Sequence, residues 1–172
     1  MQDYVIRLYQ ARDAEQMHAA ALESVAEVYP WMGWCHERYS LTEARDWIAL
    51  QIEQAKQGLA YEFAVFDRGN RFLGGCGLNQ INRANRFANL GYWVRTSAVG
   101  RGAATAAARF VSDYAFRETD VNRVEIVVAV GNARSLRVAE NAGASREGVL
   151  RSRLLLPTGP SDAVMHSLIR TH

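Results

Sequence analysis

The sequence has few of the residues that mark metal centres, disulfide scaffolds or nucleic-acid surfaces. Of its 172 residues only two are cysteines and four are histidines, and none of them has the spacing of metal ligands. We expect Cys35 and Cys76 to be reduced thiols in a cytoplasmic protein. The formal net charge of +2 is too small to favour nucleic acid as a partner, and the arginines are not gathered into one block.

Long apolar runs are also missing. No stretch approaches the roughly 18 residues that a membrane-spanning helix needs. The first residues, Met-Gln-Asp-Tyr-Val-Ile-Arg, lack the apolar core of a signal peptide. With 49% hydrophobic and 22% charged residues, the composition is that of a globular protein. We therefore expect a single domain over residues 1–172, with neither a membrane nor nucleic acid as partner.

Apolar periodicity predicts strands that alternate with helices. Strands are expected at Tyr61–Phe66, Phe87–Val94 and, most strongly, Arg123–Val130. Capping patterns, Asp13 with Gln16 and Ser40 with Glu43, predict two helix starts, and the first helix is expected to run as far as Pro30. The predicted order is β-α-α-β-β-β-α-β-α-β-β. This order implies an α/β (α+β) fold, a mixed, mainly antiparallel twisted sheet with helices on both faces.

The chain is organised around a strand, a glycine-containing loop and an alanine-rich helix, in that order, at Leu90–Phe110. The loop contains Gly100 and Gly102, and the helix is expected to begin near Ala103. Small side chains leave the first helical amides bare, and together with the helix dipole these amides suit a phosphate. The sequence is neither a P-loop nor a dinucleotide fingerprint. An ordinary strand-to-helix turn that uses glycine for its φ angles is the alternative.

The loop sequence Val99-Gly-Arg-Gly-Ala-Ala104 resembles motif A of the Gcn5-related N-acetyltransferases, [Q/R]-x-x-G-x-[G/A]. That motif binds the pyrophosphate of acetyl-CoA. Gly102 and Ala104 match it, whereas Val99 stands where the family usually has Gln or Arg. The departure removes one side chain and leaves the backbone cradle intact.

About 30 residues further on, Asn132–Ala144 resembles motif B of the same superfamily, and Glu147–Arg151 resembles its E-G-x-L-R continuation. A match to both motifs in the right order is far more specific for this superfamily than a match to one of them. Pro30–Trp34 and Gly91–Trp93 resemble the RimJ/RimL branch, which acetylates the amino termini of ribosomal proteins. The resemblance thus covers nearly the whole chain.

The family resemblance implies a splayed pair of strands with acetyl-CoA in the opening. An acceptor amine then attacks the thioester directly, with no covalent enzyme intermediate and no metal. The backbone N–H of Val94 is the implied donor to the thioester oxygen. The implied cofactor-binding residues are Val94, Arg95, Gly100, Arg101, Gly102, Ala103, Ala104, Thr105 and Asn132.

The resemblance also nominates catalytic residues. Ser135 matches the motif B serine and is the candidate acid or thiolate-stabilising group, although a first-turn helix serine also bonds backbone. Carboxylates that the family places on two strands are replaced here by Asn89 and Leu154. Glu125 is then the candidate base, with Glu147 as the other carboxylate near the expected centre. A structural role is the alternative for both glutamates.

Two tryptophans, Trp31 and Trp34, are expected either to form a wall of the acceptor pocket or to plug the space between helices. Asn89 is a candidate for holding a water or a substrate amide. The expected function is acetyl-CoA-dependent N-acetylation of a primary amine in a peptide or protein amino terminus, with a ribosomal protein as the acceptor that the branch implies. The alternatives are acetylation of a small amine, in detoxification or antibiotic resistance, and a CoA-binding module without turnover. Homodimers are common in this branch, but no segment of the sequence reports an interface.

Overall fold

The computed structural model describes residues 4–171. Residues 1–3, which belong to the segment inspected for a signal peptide, and His172 lie outside this range. The strands are β1 (Val5–Leu8), β2 (Tyr61–Phe66), β3 (Phe72–Asn82), β4 (Phe87–Val94), β5 (Arg123–Ala129), β6 (Ser145–Leu156) and β7 (Gly159–Ile169). The helices are α1 (Ala14–Glu23), α2 (Val25–Val28), α3 (Leu41–Lys56), α4 (Ala103–Glu118) and α5 (Ala133–Asn141).

All seven strands form one sheet, in the order β1-β2-β3-β4-β5-β7-β6. Neighbouring strands pair antiparallel, except that β4 and β5 are parallel. This parallel pairing joins only Phe87–Asn89 to Arg123–Glu125, after which the two strands diverge. The predicted mixed, mainly antiparallel sheet is confirmed, and the divergence opens a gap in its centre.

Helices cover both faces of the sheet, as predicted. One face packs against α4, and the buried side chains of this core include Phe63, Leu78, Leu90 and Val124 of the sheet and Val111 of the helix. The other face packs against α1 and α3, and the buried side chains of this second core include Phe66, Phe72 and Trp93 of the sheet and Met17 and Ile48 of the helices. Side chains of a strand alternate between the two faces, so neighbouring residues of β4 pack into different cores.

The predicted capping pattern at Asp13 is wrong. The Asp13 carboxylate is buried and accepts hydrogen bonds from the Arg7 guanidinium at 2.7 and 2.8 Å and from the Gln10 N–H at 2.8 Å. The Gln16 amide oxygen instead accepts from the Phe72 N–H, at 3.0 Å. The Asp13 carboxylate thus bonds the preceding turn and Arg7, and Gln16 bonds β3, so the two do not cap a helix that starts at Asp13. The second pattern is confirmed, because the Glu43 N–H donates to Ser40 Oγ and the Ser40 N–H to the Glu43 carboxylate.

The first predicted helix is interrupted at Ser24, between α1 and α2. Ser24 Oγ donates to the Ala20 carbonyl at 2.7 Å and accepts from the Thr96 N–H at 3.0 Å. A serine that bonds the preceding turn competes with the helical ladder. The interruption therefore ties the first helical layer to the loop that follows β4.

Candidate active site

A cleft of about 770 Å³ occupies the gap where β4 and β5 diverge. Its floor is the end of β4, and its sides are the N-terminal turns of α4 and α5. The predicted site residues that line it are Trp31, Val94, Gly100, Gly102, Ala103, Ala104, Thr105, Asn132 and Ser135. The chain thus brings together nine predicted residues from four segments.

The N-terminus of α4 opens into this cleft. Gly100 and Gly102 have φ angles of +79° and +85°, in the left-handed region that favours glycine. No side chain caps the helix at Gly102, and the first helical hydrogen bond runs from the Ala106 N–H to the Gly102 carbonyl. The preceding amides, at Ala103, Ala104 and Thr105, therefore have no acceptor within the helix. Aligned donors at the positive end of a helix dipole are suited to an anionic ligand.

The end of β4 supplies another backbone donor. The Arg95 N–H donates to the Leu73 carbonyl on β3, at 2.8 Å. Consecutive N–H groups of an extended strand point to opposite edges, so the Val94 N–H faces the cleft. A donor fixed in a strand is preorganised to stabilise negative charge that develops on a carbonyl oxygen.

Two hydroxyl groups meet across the cleft. Tyr92 Oη donates to the Ser135 carbonyl at 2.8 Å, and Ser135 Oγ donates to Tyr92 Oη at 3.1 Å. Burial raises the pKa of Tyr92 well above its usual range, so the phenol stays protonated. The Asn132 side chain accepts from the Ser135 N–H at 3.1 Å and thereby caps α5. The arrangement holds a proton donor between the two diverging strands.

A model of the family described as "Acetyltransferase (GNAT) domain" matches residues 4–145. The chain belongs to the GNAT acetyltransferase family. Among its relatives is "Putative ribosomal N-acetyltransferase YdaF" of Bacillus subtilis (strain 168), 30% identical over 172 residues, with 96% of this chain and 90% of the relative covered. The predicted family and its ribosomal-protein branch are confirmed.

Solved structures agree with this assignment. A crystal structure described as "Probable acetyltransferase" has a TM-score of 0.88 at 30% identity, with 97% of this chain and 93% of that chain covered. Mycobacterium smegmatis RimJ, in complex with CoA-disulfide, has a TM-score of 0.88 at 25% identity, with 96% and 81% covered. The sheet order and helix arrangement of this acetyltransferase are thus those of its family.

Tyr92 was missed by the sequence analysis, which used the Gly-Tyr-Trp triplet only as a mark of the branch. The available signal is strand alternation, since Tyr92 lies on the same face as Leu90 and Val94. Two cations were missed as well. Arg134 and Arg137, on α5, line the cleft of the acetyltransferase, and Arg134 also pairs with Glu27 at 2.8 Å.

The two arginines predicted at the rim do not line the cleft. Arg95 forms an ion pair with Glu23, and its guanidinium also donates to the Phe72 carbonyl at 3.0 Å. Hydrogen bonds from Arg95 and from the Ser97 N–H lower the pKa of Glu23 to about 2. The Glu23 carboxylate therefore neutralises the Arg95 charge that was expected to face a ligand. Arg101 is exposed beside the loop, where its carbonyl accepts from Tyr4 Oη.

Trp34 belongs to the core and not to the cleft. Its ring contacts Trp93 and Tyr39 in edge-on arrangements, with centroids 5.2 and 5.3 Å apart. This is the hydrophobic plug considered as the alternative. Trp31 does line the cleft, and a Cβ at Gly131 would lie 3.6 Å from its ring. The predicted aromatic wall is thus reduced to Trp31.

Glu125, expected as the base, is held in an ion pair instead. Its carboxylate accepts from Arg123 Nε at 2.7 Å, while both terminal nitrogens of Arg123 hold Glu147, at 2.7 and 2.6 Å. This network lowers the pKa of Glu147 to about 2. A lowered pKa makes Glu147 a poor proton acceptor. Asn89 lies beside Glu125 in the sheet, but its amide donates to Asn79 and does not enter the cleft.

Among residues 4–171, no group of three or more His, Cys, Asp or Glu side chains is arranged to hold a metal ion. Within the same range, no helix combines the length and apolar character needed to cross a membrane.

Proposed function

We propose that this acetyltransferase uses acetyl-CoA and transfers the acetyl group directly to a primary amine at a peptide or protein amino terminus. The observation that carries the proposal is the cleft itself, where the bare amides of α4 and the Val94 N–H face the same space. An anionic group and a carbonyl oxygen of one extended substrate suit these two sets of donors. RimJ, described in complex with CoA-disulfide, supports the choice of CoA.

The backbone amides of Ala103, Ala104 and Thr105 are proposed to hold the pyrophosphate, with positive charge from Arg137. Asn132 is proposed to contact the pantetheine arm while it caps α5. The Val94 N–H then polarises the thioester carbonyl as the amine attacks. Because all of these contacts except those of Asn132 and Arg137 are backbone contacts, the missing Gln or Arg at Val99 is tolerated.

Collapse of the tetrahedral adduct expels a thiolate, which an acid protonates as it departs. Tyr92 is the proposed proton donor, since its phenol stays protonated and faces the cleft. Ser135 orients that phenol through two hydrogen bonds. Ser135, predicted as the acid or thiolate-stabilising group, is thus proposed to position Tyr92.

A ribosomal protein is the proposed acceptor. The name of the YdaF relative supports this choice. The cleft agrees with a peptide acceptor, because Trp31, which lies in the turn after α2, lines it together with Tyr92 and Trp93. No concentration of carboxylates marks a polyamine or aminoglycoside pocket among its lining residues.

The test combines binding and transfer. Calorimetric titration with acetyl-CoA and with CoA should show binding of both ligands. Mass spectrometry should then show one acetyl group added to hexapeptides that carry ribosomal-protein amino termini, and none added to the same peptides with blocked amino termini. Transfer to spermidine or kanamycin alone would overturn the peptide assignment. Binding without transfer to any amine would identify a CoA-binding module.

A further inference from the structure

Three glycines form a shallow trough on the sheet face opposite α4. Gly75 and Gly77 lie on β3, and Gly91 lies on β4 as the register partner of Gly77. We call Gly75, Gly77 and Gly91 the glycine trough. A Cβ at Gly77 would lie 1.8 Å from the Glu62 carboxylate, and a Cβ at Gly75 would lie 2.5 Å from Tyr9 Oη. A Cβ at Gly91 would meet no atom within 4 Å. Two polar side chains therefore cover one part of the trough, and the part over Gly91 is open.

Glu62 reaches over β3 without a cationic partner. Among residues 4–171 no Lys, Arg or His nitrogen lies within the 4.0 Å of an ion pair, and the carboxylate accepts only from Asn79 Nδ2, at 3.1 Å. Burial raises the pKa of Glu62 to about 7. A desolvated carboxylate without a counter-charge is costly, so its presence calls for a ligand or a reaction that uses it.

Tyr9 provides a second, independent indication. Tyr9 is only 4% exposed, and its buried hydroxyl has no hydrogen-bond partner within residues 4–171. Buried hydroxyl groups are ordinarily satisfied by protein or by ordered water. The Tyr9 hydroxyl lies over Gly75, two residues along β3 from the glycine that Glu62 covers. An unsatisfied hydroxyl and an unpaired carboxylate thus face the same trough.

A chain of two amides leads from Glu62 to Asn89, beside the point where β4 and β5 separate. Asn89 Nδ2 donates to Asn79 Oδ1 at 2.9 Å, and Asn79 Nδ2 donates in turn to Glu62. Donors that all point toward the carboxylate orient it and favour its charged form. Asn89 is the last β4 residue paired with β5, and Gly91 follows it by two residues on the same face. The trough therefore ends where the sheet opens, next to Tyr92.

We propose that the glycine trough binds the acceptor amine over Gly91 and that Glu62 takes the proton of this amine through one bridging water. Neighbouring strands lie about 4.8 Å apart, which a single water spans between an amine over Gly91 and a carboxylate over Gly77. Glu62 thereby supplies the carboxylate that is missing at Asn89 and Leu154. This inference rests on the proposed function, and it identifies the acceptor site as one built for a primary ammonium.

The proton balance is complete. One proton passes from the ammonium through the water to Glu62, which later releases it to solvent. The free amine forms the N–C bond with the thioester carbonyl, and collapse of the adduct breaks the C–S bond. Tyr92 gives one proton to the departing thiolate. The adduct nitrogen loses its second proton, which replaces the one that Tyr92 gave, so that the phenol is restored. The products are the N-acetyl amide and CoA thiol.

The first test compares Glu62→Gln with the wild type. Glutamine keeps an oxygen that accepts from Asn79 but is not a base. We expect kcat/KM for the peptide to fall about 100-fold or more. The rise of kcat/KM through about pH 7 should also be lost, while the Kd for acetyl-CoA stays unchanged. Glu53→Gln, an exposed carboxylate on α3, is the matched control. A Glu62→Gln enzyme with the wild-type rate and pH profile overturns the proposal.

The second test requires no turnover. Protein saturated with CoA is titrated with a hexapeptide that has a free amino terminus and with its N-acetylated form. We expect the wild type to bind the free amine at least tenfold more tightly and Glu62→Gln to lose this preference. Gly91→Ala should weaken binding of the same peptide while the fold is retained, because the added methyl occupies open space. Equal affinity of the wild type for both peptides overturns the trough, whereas absent transfer by a wild type that discriminates overturns only the proposed function.

Discussion

Glu62→Gln is expected to stabilise the protein at alkaline pH. The pKa of Glu62 rises from 4.5 to about 7 on folding. The folded state therefore holds the proton more tightly than the unfolded chain, and stability falls as pH increases between these two values. Below about pH 4.5 the carboxyl is protonated in both states, and the free-energy penalty for burying the ionised carboxylate disappears. Above about pH 7 the whole penalty is present.

The size of the effect follows from the pKa change. A change from 4.5 to about 7 corresponds to about 3 kcal/mol as an upper limit. Because the side chain is only partly buried and water relaxes around it, we expect the variant to gain about 1–2 kcal/mol at about pH 8. For a chain of this size, one kcal/mol shifts Tm by about 2–4 °C. The expected gain in Tm is therefore about 2–8 °C.

Thermal unfolding followed by circular dichroism, at about pH 5 and about pH 8, measures this gain. The difference in Tm between Glu62→Gln and wild type should be several degrees at the higher pH and small at the lower one. Glu53→Gln removes an exposed carboxylate and should change Tm little at either pH. A Tm difference that is the same at both pH values, or a variant that is less stable at about pH 8, would refute the reasoning about Glu62.

Four further outcomes are expected. Gly102→Asp should weaken acetyl-CoA binding at least about tenfold relative to Gly102→Asn, measured by calorimetry, because both side chains tolerate the left-handed backbone and only Asp repels phosphate. Tyr92→Phe should lower kcat about 10- to 100-fold with an unchanged Kd for acetyl-CoA, and an unchanged kcat would exclude the phenol as the acid. Ser135→Ala should reduce kcat less than Tyr92→Phe does, because the phenol keeps its bond to the backbone carbonyl. Glu23→Gln should cost about 1 kcal/mol at neutral pH by weakening the pair with Arg95; since pairing lowers the pKa of Glu23 to about 2, this loss should shrink as pH falls from about 4.5 to 2 in denaturant titrations.

Local patterns predicted much of the fold. The bounds of Tyr61–Phe66 and Phe87–Val94 agree with the structure, because alternating apolar side chains fit a sheet with two buried faces. The start of α4 at Ala103 agrees as well. The predicted helix start at Asp13 is wrong. The Asp13 carboxylate forms an ion pair with Arg7 on β1, and no local pattern encodes that partner.

The same distinction applies to the site. Backbone donors around Gly102 and the cap at Asn132 could be placed from the sequence, because each depends on residues adjacent in the chain. Ion pairs could not be placed in this way. Arg95 pairs with a residue 72 positions away, and Glu125 shares its cation, Arg123, with Glu147 on β6. Glu62 was missed because a single glutamate in a strand carries no motif, and its setting depends on glycines of the next strand.

The proposed ligand surface at the start of α4 consists of main-chain amides, and this has a consequence for sequence divergence. Every residue except proline supplies an N–H, so many substitutions leave the donors of this surface in place. The requirement that remains is conformational and falls on the left-handed position at Gly102. An enzyme built in this way can exchange most of its side chains and still present the same array of donors. This agrees with a TM-score of 0.88 at 30% identity.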